Sequence, residues 1–312
     1  MHGYIANTDY DWYRFLRSQP DLDEVNFWQP SGSRGFHAIR PNEPFFFKLK
    51  SPHYAIGGYG FFAHASSRVP VSLAWEAFEA KNGAATQEEM RRRIARYRAT
   101  PPRPFEDPLI GCLMIANPVF FDERDWVPQP RDWPANAVQG KTYDLDAGEG
   151  RRVWEECRLL SGPALATDGV RDVLAQADRP RFGAPVEIRP RLGQGIFRVA
   201  VLDAYGRACA VTGEHSLPVL EAAHIQPYKS GGAHELRNGL LLRSDLHRLF
   251  DKGFVTVTPD RRFRVSLRLK DLWRNGKTYY PLEGREIRLP ERKELWPDPT
   301  LLEWHAETMF QR

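Results

Sequence analysis

A chain of 312 residues with 42% apolar content exceeds one average domain and supports two packed cores better than one. Its three cysteines, Cys112, Cys157 and Cys209, lie far apart with no Cys-x-x-Cys, which excludes a disulfide framework and a four-cysteine structural zinc, and no apolar run is long enough to cross a bilayer. The formal charge of +4 is uneven: residues 188–312 hold 21 basic against 15 acidic side chains (+6), residues 1–187 hold 23 against 25 (−2), so the C-terminal part suits a phosphate-rich partner. The first residues lack the basic, apolar, small-residue order of a signal peptide, and a cytoplasmic protein with no membrane partner is expected.

In chain order, short strands are predicted over 25–30, over 44–50 with Phe45, Phe46 and Phe47 in succession, and over 54–64 with Gly57, Gly58 and Gly60 around Tyr59. A long helix region over 72–97 follows, holding the Asn82-Gly83 turn and ending in an arginine cluster from Arg91 to Arg98 that a salt-bridged exposed face explains as well as phosphate binding. Residues 109–121 supply a fourth strand, or a fourth and a fifth. Strands around a crossover helix, with glycines where strands bend sharply, predict a small curved barrel over 1–150. Residues 151–187 read as a connection carrying a short helix at 150–160 and a Pro- and Gly-rich stretch at 179–185.

Past that connection, a helix is predicted over 195–205, a strand over 219–225, a wide loop marked by Pro227, Gly231 and Gly232, a returning strand over 239–242, and a helix over 244–251. Further strands at 261–267 and 286–289 and a closing helix at 300–310 complete residues 188–312, with Trp296 and Trp304 as packing. His224 ends the first strand, Asn238 precedes the second, and His247 and Asp251 are four apart on the helix, hence on one face. Those residue types fit phosphodiester hydrolysis. An attacking water must lose a proton, a task for a neutral histidine with an ordinary pKa of about 6.5. Charge building on the phosphate calls for a divalent metal, which His247 and Asp251 can hold. Asn238 can donate and accept at once, so it is assigned to clamping the loop that aligns His224. His215 and His234 read as loop histidines.

The segments Cys209-Ala-Val-Thr-Gly213, Glu-Ala-Ala-His-Ile, Asn-Gly-Leu-Leu-Leu and Leu-His-Arg-Leu-Phe-Asp resemble the HNH endonuclease family over about the C-terminal third of the chain. The resemblance implies a ββα-metal fold, with His224 as general base, Asn238 as the middle asparagine and His247 as a helix metal ligand. It also implies one divalent ion per site, Mg2+ or Mn2+, and 5′-phosphate and 3′-hydroxyl products, while the cysteine spacing leaves no structural zinc expected. Many members carry a ligand just before the base, where this chain has Ala223. Glu221 and Asp251 are then the candidate oxygen donors, although Glu221 has a second reading as the ion-pair partner of an arginine such as Arg243. Arg243, Arg261, Arg262 and Lys229, with Arg264, Arg268 and Lys270 nearby, are candidate contacts to the DNA backbone.

The N-terminal segments Asn26-Phe-Trp-Gln-Pro-Ser, Phe-Phe-Phe-Lys-Leu-Lys, Ile-Gly-Gly-Tyr-Gly and Ala-Trp-Glu-Ala-Phe resemble the EVE domain of the PUA-like superfamily, known for readers of modified bases. By that resemblance the partner is double-stranded DNA containing modified cytosine, 5-methyl or 5-hydroxymethyl, with the base flipped into an aromatic slot. Trp28 beside Ser31 is the first candidate for the slot wall, Tyr59 the second, and Phe36 and Trp75 the others, each also readable as barrel core. The expectation is an α+β protein in which an EVE-like barrel precedes an HNH nuclease, acting as a modification-dependent restriction endonuclease. Its rivals are an HNH nuclease indifferent to modification and a non-catalytic binder. One site cuts one strand, so a double-strand break needs a homodimer or two binding events.

Overall fold

The computed structural model describes residues 1–32, 35–103, 105–161, 193–274 and 277–312, and the chain divides into two compact units, Met1–Pro190 and Arg191–Arg312. The Pro- and Gly-rich stretch at 179–185, with the rest of the connection past residue 161, lies outside the described residues.

The first unit opens with β1 (His2–Thr8) and α1 (Tyr10–Arg17), neither of which the sequence reading anticipated. Then come β2 (Glu24–Gln29), β3 (Pro44–Leu49), β4 (Ala55–Pro70), α2 (Val71–Phe78), α3 (Gln87–Arg96), β5 (Leu109–Phe120), β6 (Val127–Pro128), β7 (Gly140–Asp144) and α4 (Gly148–Ser161). The strands form one mixed sheet in the order β2-β5-β4-β3-β1-β7, with β6 on β4; β1 and β3 run parallel and the other pairs antiparallel. Among the described residues no ladder joins β2 to β7, so the expected curved barrel is not closed. Curvature comes instead from irregular register: three shifts between β4 and β5 and one between β3 and β4 mark bulges that bend the long β4.

The helix expected over 72–97 is broken. A 3-10 turn (Glu79–Asn82) ends at Gly83, whose φ is +79°, and a Cβ there would sit 2.1 Å from the Trp12 ring, so glycine is required. Thr86 then caps α3 by accepting from the Glu89 backbone N–H. The arginine cluster is partly paired internally: Arg93 bonds Glu89 and Arg91 bonds Asp107, while Arg98 donates to the carbonyls of Pro30 and Leu109. Residues 109–121 are one strand rather than two. Helix α4, read from sequence as part of the connection, buries Val153 and Cys157 against Phe46 and Tyr59 and belongs to the first unit. The apolar face on the other side of the sheet gathers Trp12, Tyr13, Leu16, Phe45 and Phe47.

The second unit runs α5 (Gln194–Ala204), β8 (Leu220–His224), β9 (Gly239–Arg243), α6 (Ser244–Asp251), β10 (Val255–Val257), β11 (Phe263–Val265), α7 (Arg268–Trp273) and α8 (Pro299–Thr308). Strands β8 and β9 form an antiparallel hairpin, Leu220 opposite Arg243 and His224 opposite Gly239, and α6 leaves β9 directly. The strand expected at 286–289 reduces to a single bridge, Arg262 with Glu286. Cys112, Cys157 and Cys209 are all buried and unbridged, and burial pushes the Cys157 thiol well above its ordinary pKa.

Candidate active site

The ββα segment of the second unit holds the sequence-predicted chemistry. On β8, Ala223 is fully buried, and His224 at the strand end stacks its ring on Phe197 of α5, centroids 3.9 Å apart and planes within 12°. Its Nε2 lies 2.9 Å from Nδ1 of His234. Desolvation, reinforced by the neighbouring His234 and His247, lowers the His224 pKa to about 4, so the ring is neutral at physiological pH. His247 is joined to the same strand, since it bonds Glu221 of β8.

Asn238 is 1% exposed and closes the loop between the strands with three hydrogen bonds. Its amide nitrogen donates to the carbonyls of Gln226 and Ala233, both at 2.9 Å, and its oxygen accepts from the Gln226 backbone N–H at 2.8 Å. Gly232 lies inside this clamp: a Cβ there would stand 1.9 Å from the Gln226 carbonyl oxygen and 3.0 Å from the Asn238 amide nitrogen, so only glycine lets the loop close. Cys209-Ala-Val-Thr-Gly213 braces the hairpin, since Ala210 donates its N–H to the Leu241 carbonyl at 2.7 Å.

On α6, Nδ1 of His247 is 2.7 Å from Glu221 of β8, and Nε2 is 3.5 Å from the Asp251 carboxylate one turn on. The Asp251 carboxyl is raised above its ordinary pKa, chiefly by partial burial; His247 opposes that rise and the Glu221 charge adds to it. Glu221 and Asp251 meet opposite edges of the ring, so the three expected ligands do not converge on one point, and among the described residues no group of three His, Cys, Asp or Glu is placed to hold a metal. The pair His247 Nε2 and Asp251 does fit an ion. Two donors about 2.1 Å from one cation, at right-angle to tetrahedral spacing, lie about 3.0–3.4 Å apart, and Mg2+ commonly takes one or two protein ligands and fills the rest with water. Glu221 is paired with His247 and not with Arg243, which instead holds Asp245 by two bonds of 2.6 and 2.8 Å.

The other basic candidates are differently placed. Arg261 lays its guanidinium over the Trp296 ring at 4.3 Å, a packing contact, and Arg262 bonds the Gly284 carbonyl and faces Asp260. Lys229 is exposed in the short turn Tyr228–Ser230 of the clamped loop.

In the first unit, Trp28 and Ser31 line a cavity of about 530 Å³ with Tyr4, Asn7, Asp9, Trp12, Phe27, Gln29, Lys50 and Tyr97. Trp28 is anchored by its Nε1–H to the Asn82 carbonyl at 3.1 Å, and Tyr97 faces it with centroids 6.4 Å apart. Lys50 pairs with Asp9 at 2.5 Å and sits 4.8 Å over the Tyr97 ring. Desolvation and the Asp9 hydrogen bond push the Tyr97 hydroxyl up. Three expected slot residues are elsewhere. Tyr59 is 2% exposed, packed on Phe46 and Trp154 with its hydroxyl 2.9 Å from Ser161, Phe36 packs against Tyr4 and Phe62, and Trp75 lies half-buried on α2. Asp9, Lys50 and Tyr97 were not singled out from sequence as slot residues, and Tyr97 stood there only as an aromatic among arginines.

Residues 209–258 match the family described as HNH endonuclease. No curated protein matches the chain. Among solved structures it is similar to a modification-dependent TagI restriction endonuclease at 13% identity and a TM-score of 0.28, over 98% of this chain and 81% of that one. No described helix is long and apolar enough to cross a membrane. The site built on β8, β9 and α6 lies within residues 209–258, and those residues are an HNH endonuclease domain.

Proposed function

We propose that the protein is a modification-dependent DNA endonuclease, in which the second unit hydrolyses the backbone and the cavity of the first unit takes a flipped modified cytosine. The observation that carries the nuclease half is the His224 ring stacked on Phe197 at the end of β8, the strand whose Glu221 bonds His247. The unprotonated form of His224 at neutral pH suits it to accept the proton of an attacking water. Glu221, accepting from Nδ1–H of His247, leaves Nε2 with its lone pair toward Asp251, so His247 and Asp251 would hold the divalent ion and Glu221 would orient the ring. When bound, that ion supplies Lewis acidity to the phosphate and the leaving oxygen. Asn238 keeps the loop closed, and Lys229, exposed on that loop, would meet a phosphate.

The reader half is supported by the cavity. Its volume falls within the about 300–1,000 Å³ of small-molecule sites, and it combines aromatic faces for stacking with Asn7, Asp9, Gln29 and Lys50 for the edge of a base. A methyl group on cytosine is enclosed only when the base leaves the stack. The test compares cleavage of a cytosine-methylated plasmid with its unmodified copy in Mg2+ and in Mn2+. Cutting of the methylated plasmid alone, with Trp28→Ala reducing that preference about tenfold or more, is the expected result. Equal cutting of both plasmids would sink the reader and leave an HNH nuclease indifferent to modification. Two strands are cut by one site each, so cleavage of both implies a dimer or two binding events.

A further inference from the structure

We propose that His234 is a positioning residue for His224: it accepts the Nε2–H of that ring and so leaves Nδ1 of His224 bare for the water proton. The inference rests on the reading of His224 as the base. The two rings meet edge to face, planes 70° apart, with Nε2 of His224 2.9 Å from Nδ1 of His234. One hydrogen occupies that contact, and two arrangements satisfy it. If His234 donated, a neutral His224 would carry its own hydrogen on Nδ1 and have no free lone pair. If His224 donates, its Nδ1 keeps the lone pair, and among the described residues Nδ1 of His224 has no hydrogen-bond partner. Only the second arrangement gives a base.

The loop is built to deliver this contact. Asn238 donates to the carbonyl of Ala233, the residue immediately before His234, and Gly232 admits the close approach to Gln226 that the turn requires. Phe197 underlies both rings, stacked on His224 at 3.9 Å and tilted to His234 at 5.9 Å, so the imidazoles can neither slide nor flip without losing apolar contact. The buried asparagine therefore acts on the base at one remove, by placing His234. A histidine at this position does what a fixed backbone carbonyl could do.

The first measurement is the ring-nitrogen NMR spectrum of the full chain, labelled with 15N-histidine, metal-free and at neutral pH, with His224 assigned by its loss in His224→Ala. A predominantly Nε2–H His224 that becomes a mixture of tautomers in His234→Phe is expected; a wild-type ring protonated on Nδ1 would overturn the proposal. The second measurement is kinetic. His234→Phe fills the space without an acceptor and should lower kcat about 10–100-fold with KM changed less than about twofold, whereas His234→Asn, whose Oδ1 stands where Nδ1 stood, should recover about tenfold of that loss. Wild-type cutting by His234→Phe, or equal damage in both variants, overturns the positioning role. Cutting at the wild-type rate by His224→Ala would show that the base reading itself has failed, whichever tautomer the spectrum gives, and would remove the proposal with it.

Discussion

His224 and His305 share nearly the same local structure but bond differently. Each imidazole stacks on a phenylalanine, His224 on Phe197 at 3.9 Å and 12°, His305 on Phe250 at 3.7 Å and 10°, and each has its pKa lowered to about 4, chiefly by desolvation. They differ in what their nitrogens do. His305 is 2% exposed and commits both: Nδ1 accepts from the Thr256 hydroxyl at 2.9 Å, and Nε2–H donates to the Phe250 carbonyl at 3.1 Å. His224 commits Nε2 alone. A depressed pKa on an aromatic face therefore does not by itself mark a base; a nitrogen left over after the local bonds are counted is what sets the proposed base apart.

Substitution should separate the two most sharply. His224→Ala is expected to lower cleavage of a permissive plasmid by about 10²–10⁴-fold while the urea midpoint moves little, because the strand end is braced by Asn238. If cleavage survives, the leftover nitrogen is not the base and the contrast fails. His305→Ala should do the reverse, destabilising the second unit by about 2–4 kcal/mol through a cavity and two orphaned partners, with kcat close to wild type in folded protein. Acid should reveal what they share. Both rings are held below the unfolded value of about 6.5, so the unfolded chain binds more protons, and stability should decline as pH falls from about 6.5 toward 4. Chemical denaturation across that range should show a shallower decline in His305→Gln; an unchanged slope would mean that His305 does not titrate with unfolding.

The ββα arrangement of the candidate site was legible in the sequence because its parts are local. Strand, loop, strand and helix follow one another within residues 220–251, so His224, Asn238 and His247 are brought together by short connections, and the i, i+4 spacing alone placed Asp251 beside His247. What sequence could not give was which edge of the imidazole each carboxylate would meet: Glu221 meets Nδ1, and Asp251 lies toward Nε2. His234 looked like a surface histidine because its value lies in a contact ten residues back. The first unit was harder for the same reason enlarged. Its cavity draws on β1, α1, β2, the end of β3, Tyr97 after α3, and Gln139 just before β7, and no spacing rule links them. Tyr59 sat among glycines as a slot residue would, yet those glycines admit a tight approach of β4 to neighbouring elements: a Cβ at Gly58 would stand 2.1 Å from the Val119 carbonyl oxygen. The barrel expectation counted strands correctly as plentiful but could not know that β1 pairs parallel with β3 and leaves β2 and β7 as edges.

The three thiols carry a practical consequence. All are enclosed, so none competes readily for a maleimide probe under native conditions. A cysteine introduced at exposed Lys229 would then be the single accessible handle, and a fluorophore there would report the arrival of DNA beside the cutting centre without removing any native residue of the core.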